Sequence, residues 1–328
     1  FNFEKIEYSS FLYRINKLTH IKKKVLILGY SSIVKRRILP SIIKTKNIKF
    51  EICSISSSRQ YVGESNWYRN YSEALKYSKA EIVYISLPNS EHFKWAKKAL
   101  IKGFHVIIDK PATINLKETI QLIKIAKMKR RLLAEALVYF YHGQIIQGLK
   151  LIGGVKSIDR IHANFNIPMP DKNSIRSIKK LKSYCIYDML PYAASIIRIF
   201  CKGKLIKISI SSKKYFHKKF SFFLEFSNML YTGHFCYGGE YQNNLTLFSK
   251  KKVIKLNRVF APPPNERLNL EISSKNKSYT IKTQKDDTFY NFFRTIFGHI
   301  KNKRYSVFLK KLEQDSRIRE MFISEKKI

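Results

Sequence analysis

Cysteine is scarce in this chain and follows no metal-binding or cross-linking pattern. The 328 residues include four cysteines, and none stands in a Cys-x-x-Cys pair or at ligand spacing from a histidine. A chain of this length buries enough apolar surface to fold without cross-links. We therefore expect four buried thiols, no bound metal and a reducing, cytoplasmic location. The cysteines are Cys53, Cys185, Cys201 and Cys236.

Long apolar runs are missing as well. A membrane-spanning helix needs about 20 consecutive apolar residues, and no stretch of this sequence approaches that length. The stretch before Lys24 is interrupted by Glu, Arg, Asn and Lys, unlike the apolar segment of a secretory signal. The sequence therefore predicts a protein with no membrane partner.

Acidic residues are few, since 23 Asp and Glu stand against 63 Lys and Arg, and the formal net charge is +40. Clustered cations would indicate nucleic-acid binding, because they release counterions from phosphates. Here the cations are spread along the whole chain and lysine greatly outnumbers arginine, which is typical of a compositional bias. We expect no nucleic-acid partner, although nucleic-acid binding stays open as an alternative. The positive field favours anionic small molecules as ligands.

Short apolar runs alternate with helical patterns up to about residue 138. The run at 24–28 is apolar throughout, as expected for a strand buried on both faces of a parallel sheet. A helix predicted at 33–44 contains Pro40, which we expect to bend or split it. The alternation is typical of a doubly wound α/β sheet. The predicted strands are 24–28, 50–55, 82–87, 105–109 and 132–138, with further helices at 90–102 and 116–128.

After residue 138 the pattern changes to alternating polar and apolar segments, typical of antiparallel strands. We predict a Rossmann domain over 1–138 and an α+β domain over 139–328. The second domain would carry a large, mainly antiparallel open sheet and serve substrate binding and oligomerisation. Its predicted strands are 157–166, 205–212, 220–226, 230–237 and 244–248, followed by helices at 287–299 and 306–321.

A glycine turn follows the first predicted strand. The sequence Gly29-Tyr-Ser31-Ser32-Ile33-Val is a degraded form of the Gly-x-Gly-x-x-Ala/Gly pattern that binds dinucleotides. Gly29 supplies the tight turn, and the backbone amides of the turn and helix start would contact a pyrophosphate. Ser31 replaces the second glycine but is small and carries a hydroxyl donor. An ordinary turn between strand and helix is the other interpretation.

The polar end of the second predicted strand bears on the choice of cofactor. An acidic residue there binds the ribose 2′-hydroxyl of NAD, whereas an arginine accommodates the 2′-phosphate of NADP. This sequence has Ser58 and Arg59 and no carboxylate at that place. We therefore favour NADP(H) over NAD(H), with a solvated loop arginine as the alternative interpretation.

A lysine ends the fourth predicted strand, in the run from His105 to Asp109-Lys110-Pro111. Ligands bind at this carboxyl edge in open α/β sheets, and a lysine there can donate to a reacting oxygen. Together with the run from Glu81 to Ala96, this stretch resembles the Gfo/Idh/MocA family of oxidoreductases, whose Glu-Lys-Pro motif is here Asp-Lys-Pro. The resemblance implies that the following residues contact the cofactor: Leu87, Pro88, Asn89, His92, Asp109 and Lys110.

Within that family the sequence most resembles nucleotide-sugar 3-ketoreductases of deoxysugar biosynthesis. Three stretches carry the likeness, at 33–40, 165–176 and 257–263. The resemblance implies a catalytic pair, Lys110 and Tyr192. Tyr192 lies four residues after Asp188, as in the family's Asp-x-Gly-x-Tyr/His motif, so both would share one helix face. The implied substrate contacts are His142, Gln144, Arg176, Asp188 and Tyr192.

The same resemblance implies a function. It predicts hydride transfer between NADP(H) and a carbohydrate ketone or hydroxyl, reducing a nucleotide-linked 3-keto sugar in deoxysugar or surface-polysaccharide biosynthesis. A free-sugar or inositol dehydrogenase and a non-catalytic dinucleotide- or sugar-binding protein stay open as alternatives. Related enzymes pair through the sheet of the second domain, which implies a homo-oligomer. Two departures, the non-glycine run 181–187 and Leu190, are expected to alter or fill the pocket floor.

Overall fold

The structure, a computed structural model, describes residues 23–45, 48–56, 66–275 and 277–324. Its first sheet is formed by β1 (Lys23–Leu28), β2 (Ile48–Cys53), β3 (Trp67–Tyr68), β4 (Ile82–Ile85), β5 (His105–Asp109) and β6 (Leu133–Ala136). All of these strands are parallel, in the order β3-β2-β1-β4-β5-β6. The order reverses between β1 and β4, the place where open α/β sheets bind ligands.

Helices cover both faces of this sheet, which explains the apolar character of its central strands. The side chains of Val25 to Leu28 in β1 are fully buried. Asn70 and Asn115 cap two of the helices by accepting hydrogen bonds from backbone amides of the first turn. The helices are α1 (Leu39–Lys44), α2 (Tyr71–Tyr77), α3 (Asn89–Ile101) and α4 (Leu116–Met128).

The sequence-based prediction for this sheet was correct in type but missed one strand. We predicted five strands, whereas the structure has six, because β3 is only two residues long and lies at the sheet edge. Two residues carry no measurable periodicity. The predicted first helix is not split at Pro40: a π-helical turn over Val34–Ile38 continues directly into α1, and Pro40 stands in the first turn of α1.

The second sheet has eight strands, and their order is β14-β13-β12-β11-β7-β10-β9-β8, with β7 and β10 as the parallel pair. The other neighbours are antiparallel, so the predicted α/β fold with a mainly antiparallel second sheet is confirmed. The strands are β7 (Arg160–Ile167), β8 (Leu205–Ile210), β9 (Lys219–Phe226), β10 (Met229–Tyr237), β11 (Gln242–Phe248), β12 (Lys252–Asn257), β13 (Asn269–Ser274) and β14 (Lys277–Lys282). The last three strands were not predicted.

One face of the second sheet is apolar and carries helices α5 (Gly143–Ile152) and α6 (Cys185–Phe200). On that face Phe220 and Phe235 stack with their ring centroids 5.0 Å apart. The opposite face is polar, since alternate strand residues such as His162 and Thr232 point away from the helices and hydrogen-bond to each other. The core of this half of the molecule therefore lies between α6 and the sheet.

Two helices end the described chain, as predicted. Helix α7 (Thr288–Lys301) returns to the first sheet and buries Phe292 and Phe293 against β1 and β4. Helix α8 (Ser306–Ser324) contacts α4, α6 and β6. The two sheets are thus joined by the C-terminal segment. The domain boundary at 138/139 stays a prediction.

Arg319 of α8 pairs with Glu135 of β6 inside this junction. The guanidinium Nη1 lies 3.0 and 3.2 Å from the two carboxylate oxygens, and the side chains are 7% and 5% exposed. Because Arg319→Leu would leave a buried carboxylate without its cation, we expect the free energy of unfolding to fall by about 3–5 kcal/mol. Chemical denaturation measures this loss. Arg317→Leu, which removes an exposed pair with Glu313 on the same helix, should cost less than about 1 kcal/mol.

The four cysteines are free and buried, as predicted. Over the described part of the chain, every helix is too short or too polar to cross a bilayer. The same residues contain no group of three or more His, Cys, Asp or Glu side chains placed to hold a metal ion.

Candidate active site

Lys110 follows β5 directly and therefore lies at the carboxyl edge of the first sheet. The neighbouring Asp109 is held at that edge by two donors, the Tyr84 hydroxyl at 2.5 Å and the Ser86 hydroxyl at 2.5 Å. The Ser86 hydroxyl also lies 2.8 Å from the hydroxyl of Ser31. Hydrogen bonds thus connect the turn after β1 to the ends of β4 and β5.

Asp188, in the first turn of α6, receives hydrogen bonds from both halves of the molecule. The Lys110 ammonium donates to its carboxylate and, at 2.5 Å, to its backbone oxygen. The second carboxylate oxygen accepts from Arg176 Nε at 2.9 Å and from the Tyr237 hydroxyl at 2.8 Å. The carboxylate therefore fixes the position of the lysine amine across the junction between the sheets.

Tyr192 lies one helical turn after Asp188 and completes this cluster. Its ring centroid is 4.9 Å from Lys110 Nζ. The ring also packs against Tyr139, Phe165 and Phe260, with centroid separations of 5.3–5.7 Å. The structure therefore brings Lys110, Asp188 and Tyr192 together, as the sequence predicted, and three aromatic rings pack against the phenol.

The charges in this cluster determine its protonation. Burial works to lower the pKa of Lys110, but the carboxylate of Asp188 and the phenol of Tyr192 outweigh it and raise the pKa. Burial works to raise the pKa of Asp188, but Lys110 and Arg176 outweigh it and lower the pKa. Burial raises the pKa of Tyr192 despite the opposing effect of Lys110. At neutral pH the cluster thus holds an ammonium, a carboxylate and a protonated phenol.

The low pKa of Asp188 makes stability depend on pH. Because its carboxyl is more acidic in the folded chain than unfolded, its contribution is complete above the unfolded pKa of about 3.9 and is lost as pH falls further. We expect Asp188→Asn to flatten the dependence of the unfolding free energy on pH below about pH 4. Denaturation series at stepped pH measure the slope. An equal slope in wild type and variant would contradict the expectation, and Asp159→Asn, at an exposed position, serves as control.

The turn after β1 is tight and begins with a glycine in the left-handed backbone region. Gly29 has a φ of +97°, and a Cβ at this position would lie 2.1 Å from the backbone oxygen of Ser86. Only glycine lets the two strand ends approach so closely. Ser31 ends the turn by accepting a hydrogen bond from the amide of Val34 at 3.3 Å. Ser32 is exposed and Ile33 half-buried at the helix start, so the residues present fit a bound nicotinamide dinucleotide.

The other predicted cofactor contacts take different positions. Asn89, at the start of α3, donates to the backbone oxygen of Lys182 at 2.6 Å and so bridges the two halves. His92 is fully buried, and its ring nitrogens lie 2.8 Å from the backbone oxygens of Leu87 and Pro111. It joins the loops after β4 and β5. Leu87 and Pro88 form the turn between β4 and α3. Ser58 and Arg59 lie outside the described residues.

The predicted substrate residues fall into two groups. Arg176 and Asp188 lie in the Lys110 cluster, and Arg176 remains 46% exposed toward solvent. His142 and Gln144 are fully buried at the start of α5. There the Nδ1 atom of His142 accepts a hydrogen bond from the backbone amide of Gln144 at 3.1 Å. Burial lowers the pKa of His142. A substrate contact by these two residues stays a prediction.

Two features of the site differ from what the sequence suggested. Tyr237 was not singled out, although its place at the end of a predicted strand was a usable signal, since strand ends supply site residues. Leu190, expected to fill the pocket floor, is 1% exposed and packs in the core between α6 and the second sheet. Its bulk therefore serves packing.

A parallel sheet with a glycine turn at its switch point and a lysine at its carboxyl edge is typical of dinucleotide-binding folds. Residues 23–137 match the model of the oxidoreductase family with an NAD-binding Rossmann fold, GFO_IDH_MocA. The first sheet and its helices are therefore similar to the Gfo/Idh/MocA family of oxidoreductases.

Similar proteins are known by sequence and by structure. A dTDP-3,4-didehydro-2,6-dideoxy-alpha-D-glucose 3-reductase of Saccharopolyspora spinosa is 26% identical over 76% of this chain and 79% of its own length. A D-xylose 1-dehydrogenase (NADP(+)) of Haloferax volcanii is 26% identical over 53% of this chain and 56% of its own. The solved 3-ketoreductase of Actinomadura kijaniata, in complex with NADP and TDP-benzene, has a TM-score of 0.83 at 19% identity. The structural match covers 93% of this chain and 98% of the ketoreductase chain, which shows that the two share a fold.

Proposed function

We propose that this protein is an NADP(H)-dependent reductase of a nucleotide-linked keto sugar. The observation that carries the proposal is the convergence of Lys110, Asp188 and Tyr192 beside the dinucleotide turn. A cation and a protonated phenol at one place are what the reduction of a ketone needs, because the oxygen gains negative charge and then a proton.

The chain's own residues divide this task. A bound nicotinamide cofactor supplies the hydride. Tyr192 holds the proton that passes from its phenol oxygen to the carbonyl oxygen of the substrate. Lys110 stabilises the negative charge on that oxygen and orients the phenol, while Asp188 keeps the ammonium at the site. The roles of Lys110 and Tyr192 are interchangeable in principle, since both carry protons near neutral pH.

The cofactor preference rests on sequence and on relatives. No carboxylate follows β2 at 57–59, and Arg59 fits a 2′-phosphate. A relative carries NADP(+) in its name, and a structure of the same fold was solved with NADP. We propose NADP(H) as the cofactor for these reasons.

The organisation of the protein completes the proposal. We propose that 1–138 bind the cofactor and 139–328 bind substrate, with assembly through the polar face of the second sheet. We also propose a cytoplasmic location, because four unpaired thiols suit a reducing compartment. Analytical ultracentrifugation tests the assembly.

A direct test is a turnover panel on the full chain. We expect NADPH oxidation with a dTDP-linked 3-keto sugar, and a kcat/KM with NADPH roughly tenfold or more above that with NADH. Faster oxidation of xylose, glucose or inositol with either oxidised cofactor would establish a free-sugar dehydrogenase instead. Tight NADPH binding without turnover of any sugar would indicate a non-catalytic protein.

A further inference from the structure

Tyr237 ends β10, and its hydroxyl reaches the first turn of α6. The strand residues that share its orientation, Tyr231 and Phe235, are fully buried in the core between α6 and the second sheet. Tyr237 itself is 6% exposed. The hydroxyl is thus carried on a buried ring and not on a side chain at the surface.

The backbone at Tyr237 is held on both sides. On one side its amide donates to the backbone oxygen of Lys218 at 2.7 Å. On the other side Tyr237 lies opposite Ile167 in the parallel pair of β10 and β7, and the amide of Gly238 donates to the oxygen of Ile167 at 2.9 Å. The sheet therefore sets the position from which the tyrosine ring extends.

The hydroxyl of Tyr237 donates to Asp188. Two acceptors lie near it, the Oδ2 atom of Asp188 at 2.8 Å and the backbone oxygen of Ser183 at 3.4 Å. A hydroxyl has one hydrogen to donate, and the nearer, charged acceptor gives the stronger bond. Burial and, next, the negative charge of Asp188 raise the pKa of the phenol, so Tyr237 remains a donor at any pH near neutrality.

Arg176 shares this oxygen but is a weaker partner. Its Nε atom lies 2.9 Å from Oδ2 of Asp188, yet its side chain is 46% exposed. It belongs to a short helical turn, Ile175–Ser177, that lies outside both sheets. An exposed ion pair contributes little, because water screens it and a long side chain loses entropy on pairing. The buried hydroxyl is therefore the fixed partner of Oδ2.

The two carboxylate oxygens of Asp188 have different partners. Oδ2 accepts from Tyr237, whereas Oδ1 accepts from the Lys110 ammonium. Both oxygens turn together about one bond, so a donor that holds one of them also directs the other. The terminal torsion of an aspartate is intrinsically broad, so the rotamer alone does not fix this direction. The Tyr237 hydroxyl thus bears on where the lysine amine lies.

We propose that Tyr237 is a positioning residue of the candidate active site, whose hydroxyl holds the Asp188 carboxylate so that its other oxygen faces Lys110. The proposal rests on the proposed function, because the place of the amine matters for turnover only if Lys110 stabilises charge on the substrate oxygen. Tyr237 acts through Asp188 and transfers no proton. A displacement of about 1 Å in a reacting group can cost about 100-fold in rate, so the effect falls on kcat.

The first test is a double-mutant cycle on the full chain. Tyr237→Phe removes one oxygen atom and keeps the ring and Arg176. We expect kcat for the dTDP-linked keto sugar to fall roughly tenfold to a hundredfold, with the KM and the NADPH dissociation constant within about threefold of wild type. In the Lys110→Ala background the same substitution should change kcat less than about twofold, because the positioned group is already absent.

Tyr231→Phe is the matched control. Tyr231 lies on the same face of β10, is fully buried, and has its hydroxyl 3.4 Å from the backbone oxygen of Ala193 in α6. This variant loses a hydroxyl between the same strand and the same helix but none at Asp188. We expect its kcat to stay within about twofold of wild type.

A second measurement needs no turnover. Acetic anhydride acetylates the neutral form of an amine, so the labelling rate of Lys110 follows its protonation. Burial works to lower the pKa of Lys110, and the Asp188 carboxylate is the first of the groups that outweigh it, so a displaced carboxylate should let this pKa fall. We expect Lys110 to be labelled several-fold faster in Tyr237→Phe and at an unchanged rate in Tyr231→Phe. Peptide mass spectrometry measures the labelling, with the exposed Lys102 as internal reference.

Several results would overturn the proposal. Equal losses of kcat from Tyr237→Phe in wild type and in Lys110→Ala would show an effect that does not pass through the lysine. Unchanged kcat, or unchanged labelling of Lys110, would show that Asp188 keeps its direction without Tyr237. A comparable loss in Tyr231→Phe would assign the effect to packing. Absence of turnover in wild type would instead overturn the proposed function, and the labelling of Lys110 would then decide alone whether Tyr237 sets its surroundings.

Discussion

Lys110→Ala should lower kcat for the keto sugar by about 10²–10⁴-fold, because the variant loses the cation that stabilises negative charge on the substrate oxygen. Tyr192→Phe should cause a loss of similar size, and the double variant little more than either alone, since residues that act as a unit are not additive. Steady-state and single-turnover kinetics measure both. Unchanged rates in Lys110→Ala and Tyr192→Phe would refute the catalytic assignment.

The matched control for this series is Lys102→Ala. Lys102 ends α3 on the exposed surface of the same domain, so its removal changes the charge equally but leaves the site intact. We expect its kcat and KM to equal those of wild type. NADPH affinity, measured by fluorescence, should change less than a few-fold in Lys110→Ala, so that the loss falls on the chemical step.

Gly29→Ala should abolish cofactor binding and lower the unfolding free energy by about 2–5 kcal/mol. About 1–2 kcal/mol comes from a positive φ in an L-residue, and about 1–3 kcal/mol from forcing a methyl group into a filled space. Here the space is filled by the backbone oxygen of Ser86, 2.1 Å from the added Cβ. A backbone oxygen cannot rotate away as a side chain could. Denaturant unfolding and NADPH titration measure the two effects.

Gly103→Ala separates these contributions. Gly103 also has a positive φ, +89°, but the nearest neighbour of an added Cβ would be the Arg131 guanidinium, at 3.8 Å. The variant should therefore lose only about 1–2 kcal/mol and keep full NADPH affinity. Equal losses in the two variants would show that close approach of β1 and β4 does not constrain Gly29.

Much of the first sheet follows from local sequence. The helix predicted at 116–128 and the strand at 105–109 have the observed bounds, because caps and apolar periodicity act over a few residues. The second sheet was predicted less completely. Strands β12–β14 lie beside one another at one edge of the sheet. In β14 five of the six residues are exposed, so the alternation of buried and exposed positions is weak there.

The candidate site, like the two sheets, was predictable only where local sequence patterns define it. The sequence identified Lys110, Asp188 and Tyr192 through motif resemblance and helical spacing, both of which are local patterns. It did not identify Tyr237 as a partner of Asp188, 49 residues earlier in the chain, or the buried state of His142. Those features depend on which strands become neighbours.

The sequence by itself therefore determined the Rossmann alternation, the glycine turn and the lysine at the end of β5. Each arises from backbone preferences and periodicity within short segments. Only the tertiary structure decided that Lys110 meets Asp188 across 78 residues, and that the Tyr237 hydroxyl reaches the same carboxylate. Such contacts form when distant segments bury apolar surface together, and no local pattern encodes that geometry.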